Sequence, residues 1–423
     1  MQKTKESHKK AVLKRQTKFI TAGKYIATFF AVLYGLLLIA PQSSFAQSSS
    51  STSDIFQRFA KPMPKLPLPS QEKFIEVTRP VAKKPYDEDV LAYSMRIPKE
   101  WEEGVNKTSS NFILSEKLFL ELSSYYGPPT ISGRSRIIIE ALNMEGNLTA
   151  EQWYIKYILE GGYTTEGWIV HNKNKVESLM VVMEGDYSYY LRSMVMINGD
   201  KVIMVKYYVP VQYFQEKAVI QAMVISSFQI THFRGRQFSD MTSYRFLDIA
   251  EIKYPADWKI YAKPVRNMER LKVTILNTQK IGSEFDPKTN TRGVTATEGK
   301  LDVTVISSTV KNTLVDEINE YKEQIEGEGM LISDRIPESY EFTYSDKIDF
   351  GVTEVYRGLD SSDNMSEYEF WFTVMVGGNY YYFIMLLTPS RNSMFGIWAE
   401  NIENYKIIIS EFQPMVGAFL ERD

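Results

Sequence analysis

The chain has 423 residues, of which 44% are hydrophobic and 24% are charged, and its net charge at pH 7 is −3. This balance is typical of soluble globular domains and argues against a nucleic-acid-binding protein that relies on a positive surface. The lack of cysteine excludes disulfides, thiolate metal sites and a cysteine nucleophile, and with only His8, His171 and His232 a metal site of several histidines is not expected.

Residues 1–46 have the three parts of a secretory signal. Eight lysine and arginine residues precede Tyr25, an apolar run of sixteen residues covers 25–40, and Ser44-Phe45-Ala46 is a small-x-small cleavage site. Since about 20 residues are needed to span a bilayer, this pattern predicts cleavage after Ala46. The alternative is an uncleaved membrane anchor through residues 25–40. Either outcome places residues 47–423 outside the cytoplasm.

Residues 47–89 are rich in serine and proline, with six prolines between Pro62 and Pro85. Proline fixes φ and removes an amide donor, so this composition predicts a semi-extended spacer without a regular helix or a central strand. A polyproline ligand for a partner groove is the alternative.

From residue 90 onward the sequence repeats itself. The stretch MRIPKEW at 95–101 returns as IKYPADW at 252–258, where an alternating strand ends at a proline shortly before a tryptophan. Each copy continues with another alternating strand and a helix-like stretch that ends at glycines. Trp101 and Trp258 are expected to close one end of a core each, and a ligand-stacking platform is the alternative.

A glycine hairpin and a closing tetrad mark the second half of each copy. Asn198-Gly199 and Gly377-Gly378 are two-residue turns between β-rich runs. The copies end on the similar tetrads SSFQ at 226–229 and SEFQ at 410–413. The repetition predicts tandem domains, and the boundaries are a signal peptide or anchor at 1–46, a spacer at 47–89, a first domain at 90–231, a linker at 232–243, a second domain at 244–416 with an inserted loop at 277–300, and a tail at 417–423.

The order of elements in each copy is strand, turn with tryptophan, strands, helix, antiparallel meander and final helix. Runs such as VMINGDKVIMVKYYV at 195–209 are apolar on both phases of the strand period, which indicates a sheet that is covered on both faces. We therefore predict an α+β protein with two tandem α/β/α sandwich domains after the N-terminal segment. Each domain is a mainly antiparallel sheet flanked by helices on opposite sides.

This pattern resembles the PsbP-like family, which includes the PsbP subunit of the oxygen-evolving complex and the Ran-binding Mog protein. The resemblance covers about 90–231 and 244–416, and it depends on Pro255, Trp258, Gly378 and Phe412. These positions build the fold. The resemblance implies a non-enzymatic adaptor that docks onto larger assemblies, and it brings no shared catalytic, metal or partner residues.

Motifs for specific chemistry are few. The loop 283–293 offers Glu284, Asp286 and Asn290 as oxygen ligands, but Lys288 and Thr291 stand where an EF-hand loop needs an acidic residue and glycine. A solvated hairpin tip is the expected structure. The G-x-S-x-G, P-loop and H-E-x-x-H signatures do not occur. No cofactor and no enzyme activity are therefore expected, although a hydrolase with paired carboxylates is the alternative from that class.

Tyrosines are the main surplus, at 27 in the chain. Neighbouring side chains on a strand face opposite ways, so the tyrosines of the two hairpins cannot all enter one core layer. Both faces are covered by helices, or an exposed aromatic surface binds a protein or glycan. The candidate partner-binding residues are Tyr187, Tyr189, Tyr190, Tyr380, Tyr381 and Tyr382, together with Arg234 and Arg236 of the linker.

The sequence as a whole predicts an exported, non-catalytic docking or adaptor protein of the bacterial cell envelope. Its expected partners are envelope proteins and not nucleic acid, with membrane contact only through residues 25–40 if they are retained. The alternative within binding functions is a periplasmic protein that holds a small ligand or glycan in the cleft between the domains.

Overall fold

A computed structural model describes residues 54–104, 118–144, 146–261, 265–266, 269–281, 294–308, 312–337, 342–360 and 366–420. The expected signal segment 1–46 and the loop tip 283–293 lie outside the described residues. Within the described ranges, no helix combines the length and the apolar character needed to cross a bilayer.

The first half of the described chain contains three α-helices and ten strands. In chain order they are α1 (Gln71–Val77), β1 (Thr78–Lys83), β2 (Tyr93–Pro98), β3 (Glu102–Glu103), β4 (Leu120–Thr130), β5 (Gly133–Asn143), α2 (Ala150–Glu160), β6 (Thr164–Asn172), β7 (Lys175–Glu184), β8 (Tyr187–Asn198), β9 (Lys201–Pro210), α3 (Phe214–Ser226) and β10 (Gln229–Ile230). Short 3₁₀ turns lie at Ile55–Phe59, Pro85–Asp87, Asp89–Leu91 and Val211–Tyr213.

The described part of the second half continues with two longer helices and eleven strands. They are β11 (Met241–Phe246), β12 (Ala250–Pro255), β13 (Lys259–Ile260), β14 (Val265–Arg266), β15 (Arg270–Ile281), β16 (Val294–Ser307), α4 (Leu314–Gly327), β17 (Met330–Arg335), β18 (Phe350–Asp360), β19 (Ser366–Gly377), β20 (Tyr380–Pro389), α5 (Phe395–Ser410) and β21 (Gln413–Pro414). A 3₁₀ turn at Val416–Phe419 follows.

The two halves have the same topology. The first large sheet has the order β3-β4-β5-β9-β8-β7-β6, and the second has the order β13-β15-β16-β20-β19-β18-β17, with β14 beside β15. Small sheets β1-β2-β10 and β11-β12-β21 accompany them. All pairings within these sheets are antiparallel. The predicted fold class is therefore confirmed, and the two large sheets share one strand order.

Local signals account for the repeated elements. Thr149 and Thr313 each begin a helix with a capping box, in which the threonine side chain accepts from the third helical amide and the residue at that position accepts from the threonine amide. The hairpin turns contain Gly199 and Gly378 at φ values of 63° and 59°, a backbone region that favours glycine. These choices explain why both copies form the same helices and hairpins.

Each sheet is covered on both faces, as predicted. Alternate residues of β9 face different helices: Val202 and Met204 share a cluster with α2, whereas Ile203 and Val205 share one with α3. The second sheet lies between α5 and α4 in the same way. A helix therefore packs on each side of each sheet.

The domains contact each other through non-equivalent faces. Helix α2 of the first domain packs on α5 of the second, and both helices belong to one continuous apolar cluster. Three polar contacts join them. The Asn147 Nδ2 donates to Asn404 Oδ1 at 2.7 Å, the Gln152 Nε2 donates to Glu403 Oε1 at 2.9 Å, and Lys156 Nζ lies 3.1 Å from Glu400 Oε1.

The expected spacer is in part folded, which corrects the prediction that residues 47–89 hold no regular helix. The prolines of this segment are concentrated at 62–69, so residues 71–77 are free to form α1, with Ser70 as the N-cap. The following β1 pairs with β2 along its whole length. It is the counterpart of β11, since both are outer strands of the small sheets.

Residues 54–77, which we call the strap, contact both domains. In the second domain, the Ile55 amide donates to Asn392 Oδ1 at 2.9 Å, and the Phe56 ring lies 5.9 Å from the Trp398 ring. In the first domain, the Trp168 amide donates to the Lys61 carbonyl at 2.8 Å. The strap therefore fastens the two domains to each other.

A buried ion pair holds the strap to the second domain. The Glu369 carboxylate accepts from Arg391 Nε at 2.7 Å and from the indole N–H groups of Trp371 and Trp398 at 3.1 and 2.7 Å. The Nη1 of Arg391 then reaches Asp54 Oδ2 at 3.2 Å. Both Glu369 and Arg391 are buried, so Glu369 depends on Arg391 for its counter-charge, whereas Arg391 lies between the two carboxylates of Glu369 and Asp54.

Replacing Glu369 by alanine is expected to lower the free energy of unfolding by about 3–5 kcal/mol, because it removes the buried carboxylate that accepts from Arg391 and leaves the more exposed Asp54 as the counter-charge of this guanidinium. The midpoint of urea denaturation measures this loss. Glu411→Ala is the control, since Glu411 pairs with Lys253 at 2.9 Å on the surface and its loss should barely move the midpoint. Equal midpoints for the two variants would contradict the structural role of the network.

Candidate functional site

The tyrosines proposed for partner binding are mostly covered. Tyr189, Tyr380 and Tyr382 are buried, Tyr190 stacks on Phe214 with ring centroids 3.8 Å apart, and Tyr187 is exposed. Tyr381 is partly buried against the cluster under α4. Helices cover both faces of each sheet and these rings fill the core and its rim, which is the first of the two alternatives given for the tyrosines. Partner contact through Tyr187 stays a prediction.

The linker arginines have different surroundings. The Arg234 amide donates to Asn198 Oδ1 at 2.6 Å, which fixes the linker to the first hairpin turn and leaves the Arg234 side chain exposed. Arg236 is partly buried, its guanidinium lies 5.1 Å from the Phe238 ring centre, and burial lowers its pKa against the opposing effect of the Glu403 charge. Arg236 therefore belongs to the contact between the domains.

The space between the domains, where the alternative function would place its ligand, is largely filled by α2 and α5. A cavity of about 680 Å³ remains at the edge of this contact, beside the strap. Its lining includes Glu298 and Glu400, and burial together with the Glu400 charge raises the pKa of Glu298. Glu400 is already held by Lys156. The cavity thus carries carboxylates, but one of them serves the contact between the helices.

A larger groove of about 840 Å³ lies on the other face of the first sheet. The strap, the small sheet and α3 form its walls. Most of the lining is apolar, and the lining residues are Pro64, Leu66, Leu68, Gln71, Phe74, Pro80, Val81, Ala82, Ser94, Met95, Arg96, Arg192, Ala222, Met223, Ser226, Ser227 and Gln229. The volume is in the range of small-ligand sites, and the lining offers polar groups as well as an apolar surface.

Helix α1 forms part of the wall because two residues hold it in place. Phe74 inserts its ring into the core of the first domain. Arg96 donates to the carbonyl groups of Thr78 and Ile75 at the C-terminal end of α1, at 2.9 and 3.3 Å. A cation at the C-terminal end of a helix is favourable, so this contact positions the helix over the groove.

Arg192 is the unusual side chain of the groove. It stands on β8 in an otherwise apolar stretch and is only 8% exposed. Its Nε donates to Glu177 Oε1 at 2.6 Å, and Glu177 Oε2 lies 3.1 Å from His171 Nε2. Among the described residues, Glu177 is the one hydrogen-bond acceptor of this guanidinium. The terminal Nη groups are therefore available to a ligand in the groove.

The second domain shows what this position looks like without a cavity. Counted from the hairpin turns, Trp371 of the second domain is the counterpart of Arg192. Arg192 pairs with Tyr207 on the next strand, and Trp371 pairs with Leu386. Trp371 is fully buried and contacts the rings of Phe342 and Tyr405 at 6.5 and 6.2 Å. The same fold thus fills this space with aromatic rings in one copy and leaves a groove with a guanidinium in the other.

Sequence reasoning missed this site. The strap forms a wall of the groove, and the proline-rich composition of this segment had predicted an extended spacer instead. A signal was nevertheless present, since an alignment of the two hairpins places a charged residue in the first copy opposite tryptophan in the second. A buried charge on an apolar strand requires compensation, and that requirement points to Glu177.

No family model matches the chain, and no curated protein matches it. Among solved structures, cyanobacterial PsbP (CyanoP) from Synechocystis sp. PCC 6803 is 13% identical with a TM-score of 0.26, over 37% of this chain and 93% of that chain. The immunity protein TplEi of the T6SS from Pseudomonas aeruginosa is 12% identical with a TM-score of 0.18, over 76% of this chain and 94% of that chain. Similarities this low carry no functional inference.

Truncating Phe74 to alanine is expected to release α1 from the groove, because loss of a buried ring costs about 3–5 kcal/mol. Faster amide hydrogen exchange over 64–77 measures this release. Ile75→Ala is the matched control, since Phe74 is 3% exposed and Ile75 is 46% exposed. Unchanged exchange in the Phe74 variant would show that the ring does not hold the wall.

Proposed function

We propose that this chain is an exported, non-catalytic binding protein of the bacterial cell envelope that holds a small ligand in the groove of its first domain. The observation that carries the proposal is Arg192, a nine-tenths buried guanidinium with Nη groups directed to no acceptor among the described residues. Arg192 lines the groove, so a ligand there that supplies an acceptor gains hydrogen bonds to a charged donor.

The composition of the groove favours binding over catalysis. Its lining is a set of apolar walls with serine, glutamine and arginine side chains, and among the described residues that line it there is no aspartate or glutamate. Such groups orient and retain a ligand. The PsbP-like resemblance of the sequence implies a non-enzymatic role as well, and membership of that family is part of the proposal.

A groove-filling variant tests the function. Ser226 lies on α3 at the groove and is exposed, so Ser226→Trp should occupy the space without overpacking the core. Native mass spectrometry of the protein, isolated from its host without detergent, should show a bound small molecule in the wild type and about a tenfold lower occupancy in this variant. Gln215→Trp is the control, because Gln215 is exposed on the same helix outside the groove lining.

Bound mass that persists in Ser226→Trp would place the ligand elsewhere and overturn the proposal, as would its absence from the wild type. Docking onto an envelope protein is the second candidate, because Phe233 and Phe238 of the linker are 63% and 53% exposed beside Arg234. Recovery of an envelope protein cross-linked through these residues, together with an empty groove, would favour docking.

Export is tested by the N-terminus of the mature protein. Cleavage after Ala46 predicts that the protein recovered from the cell envelope begins at Gln47. Ala46→Arg should block processing, because the cleavage site requires a small residue there, and the chain should then retain its N-terminal segment. Edman sequencing or intact mass distinguishes the two forms. A chain found in the cytoplasm with Met1 present would refute the export proposal.

A further inference from the structure

We propose that the ligand of the groove is an amphipathic carboxylate, a small molecule with one carboxylate group and an unbranched apolar tail. The carboxylate binds the Nη groups of Arg192, and the tail lies along the apolar wall that includes Leu66, Phe74 and Met223. This inference rests on the proposed function and specifies its ligand class.

The geometry at Arg192 is suited to a planar, two-oxygen acceptor. Guanidinium groups bind carboxylates through two parallel hydrogen bonds. Because Glu177 already occupies Nε, the free edge of the guanidinium is the one formed by the two Nη groups. Glu177 is itself buried and also contacts His171, so the guanidinium is fixed before a ligand enters.

The net charge of the groove favours a ligand with a single negative charge. Arg192 and Glu177 compensate each other, whereas the hydrogen bonds of Arg96 go to neutral groups, the Thr78 hydroxyl and two backbone carbonyls. Among the described residues, the acceptors of the Arg96 guanidinium include no carboxylate. The groove with its ion pair therefore carries one net positive charge. A monocarboxylate balances this charge, whereas a dianionic phosphate leaves an excess negative charge in a site of low dielectric.

The walls favour an apolar tail over a peptide strand. Recognition of a strand needs free main-chain groups at a sheet edge. The outer strand β1 carries Pro80, which has no N–H, and α3 satisfies its backbone groups within the helix. The apolar lining residues remain the main contact surface. Burial of a tail against them contributes about 0.8 kcal/mol for each CH₂ group.

The test compares probes that share one tail. Isothermal titration calorimetry measures the binding of dodecanoate, dodecanol and hexanoate to the whole chain, isolated without detergent and freed of bound molecules. We expect dodecanoate to bind about tenfold or more tightly than dodecanol, because hydrogen bonds to a charged group are worth about 1.5–3 kcal/mol. Hexanoate should bind more weakly than dodecanoate, since its tail is shorter.

Two variants distinguish ligand binding by Arg192 from its contribution to stability through the buried pair with Glu177. The double variant Arg192→Met/Glu177→Gln removes both charges of the buried pair, which is far less destabilising than removing one. It should lose the preference for dodecanoate and keep the binding of dodecanol. Glu177→Gln alone leaves Arg192 in place and increases the net positive charge, so it should bind dodecanoate at least as tightly as the wild type does.

If the double variant fails to fold, Arg192→Lys is the substitute, since it keeps the charge but lacks the two-donor edge and should weaken dodecanoate about tenfold. Equal affinities for dodecanoate and dodecanol in the wild type, abolished by Ser226→Trp, would overturn the carboxylate inference and leave the proposed function intact. If neither probe binds but a native ligand is found in the groove, the carboxylate inference is overturned and the proposed function stands. Probe binding that survives Ser226→Trp would overturn it by placing the probe outside the groove.

Discussion

Helices α2 and α5 each cover a different sheet and also pack against each other, so that one apolar layer belongs to both domains. The contact between the helices therefore covers the α2 side of the first domain. In the first domain the available face is the one beneath α3. The strap crosses that face and forms the groove there. The position of the binding site thus follows from how the domains are joined.

The strap adds a second connection between the domains. Its first residues lie against Asn392 and Trp398 of the second domain, and Lys61 pairs with Trp168 of the first. Residues further along form a wall of the groove. A ligand that moves this wall would therefore also act on a segment that holds the second domain, which couples occupancy of the groove to the contact between the domains.

The parts that the sequence predicted are the parts encoded locally. The prolines that end the opening strands, the glycines of the hairpin turns and the strands with apolar residues on both faces are short-range signals, and they were sufficient to predict the repeated sandwich fold. The strap was missed because its contacts, such as Ile55 with Asn392, join residues far apart in the chain. The groove was missed for the same reason, since Arg192 becomes informative only when the strap and Glu177 are placed around it.

A contact between two similar domains through different faces could in principle continue from molecule to molecule in an open-ended array. The outward helices of this chain carry different residues at the corresponding positions. Where α2 presents Gln152 and Lys156, the corresponding positions of α4, counted from the capping threonines, are Asp316 and Glu320. On α3, Glu216 is exposed in the first turn. Like charges would meet if α4 of one molecule packed on α3 of another, which disfavours repetition of this contact.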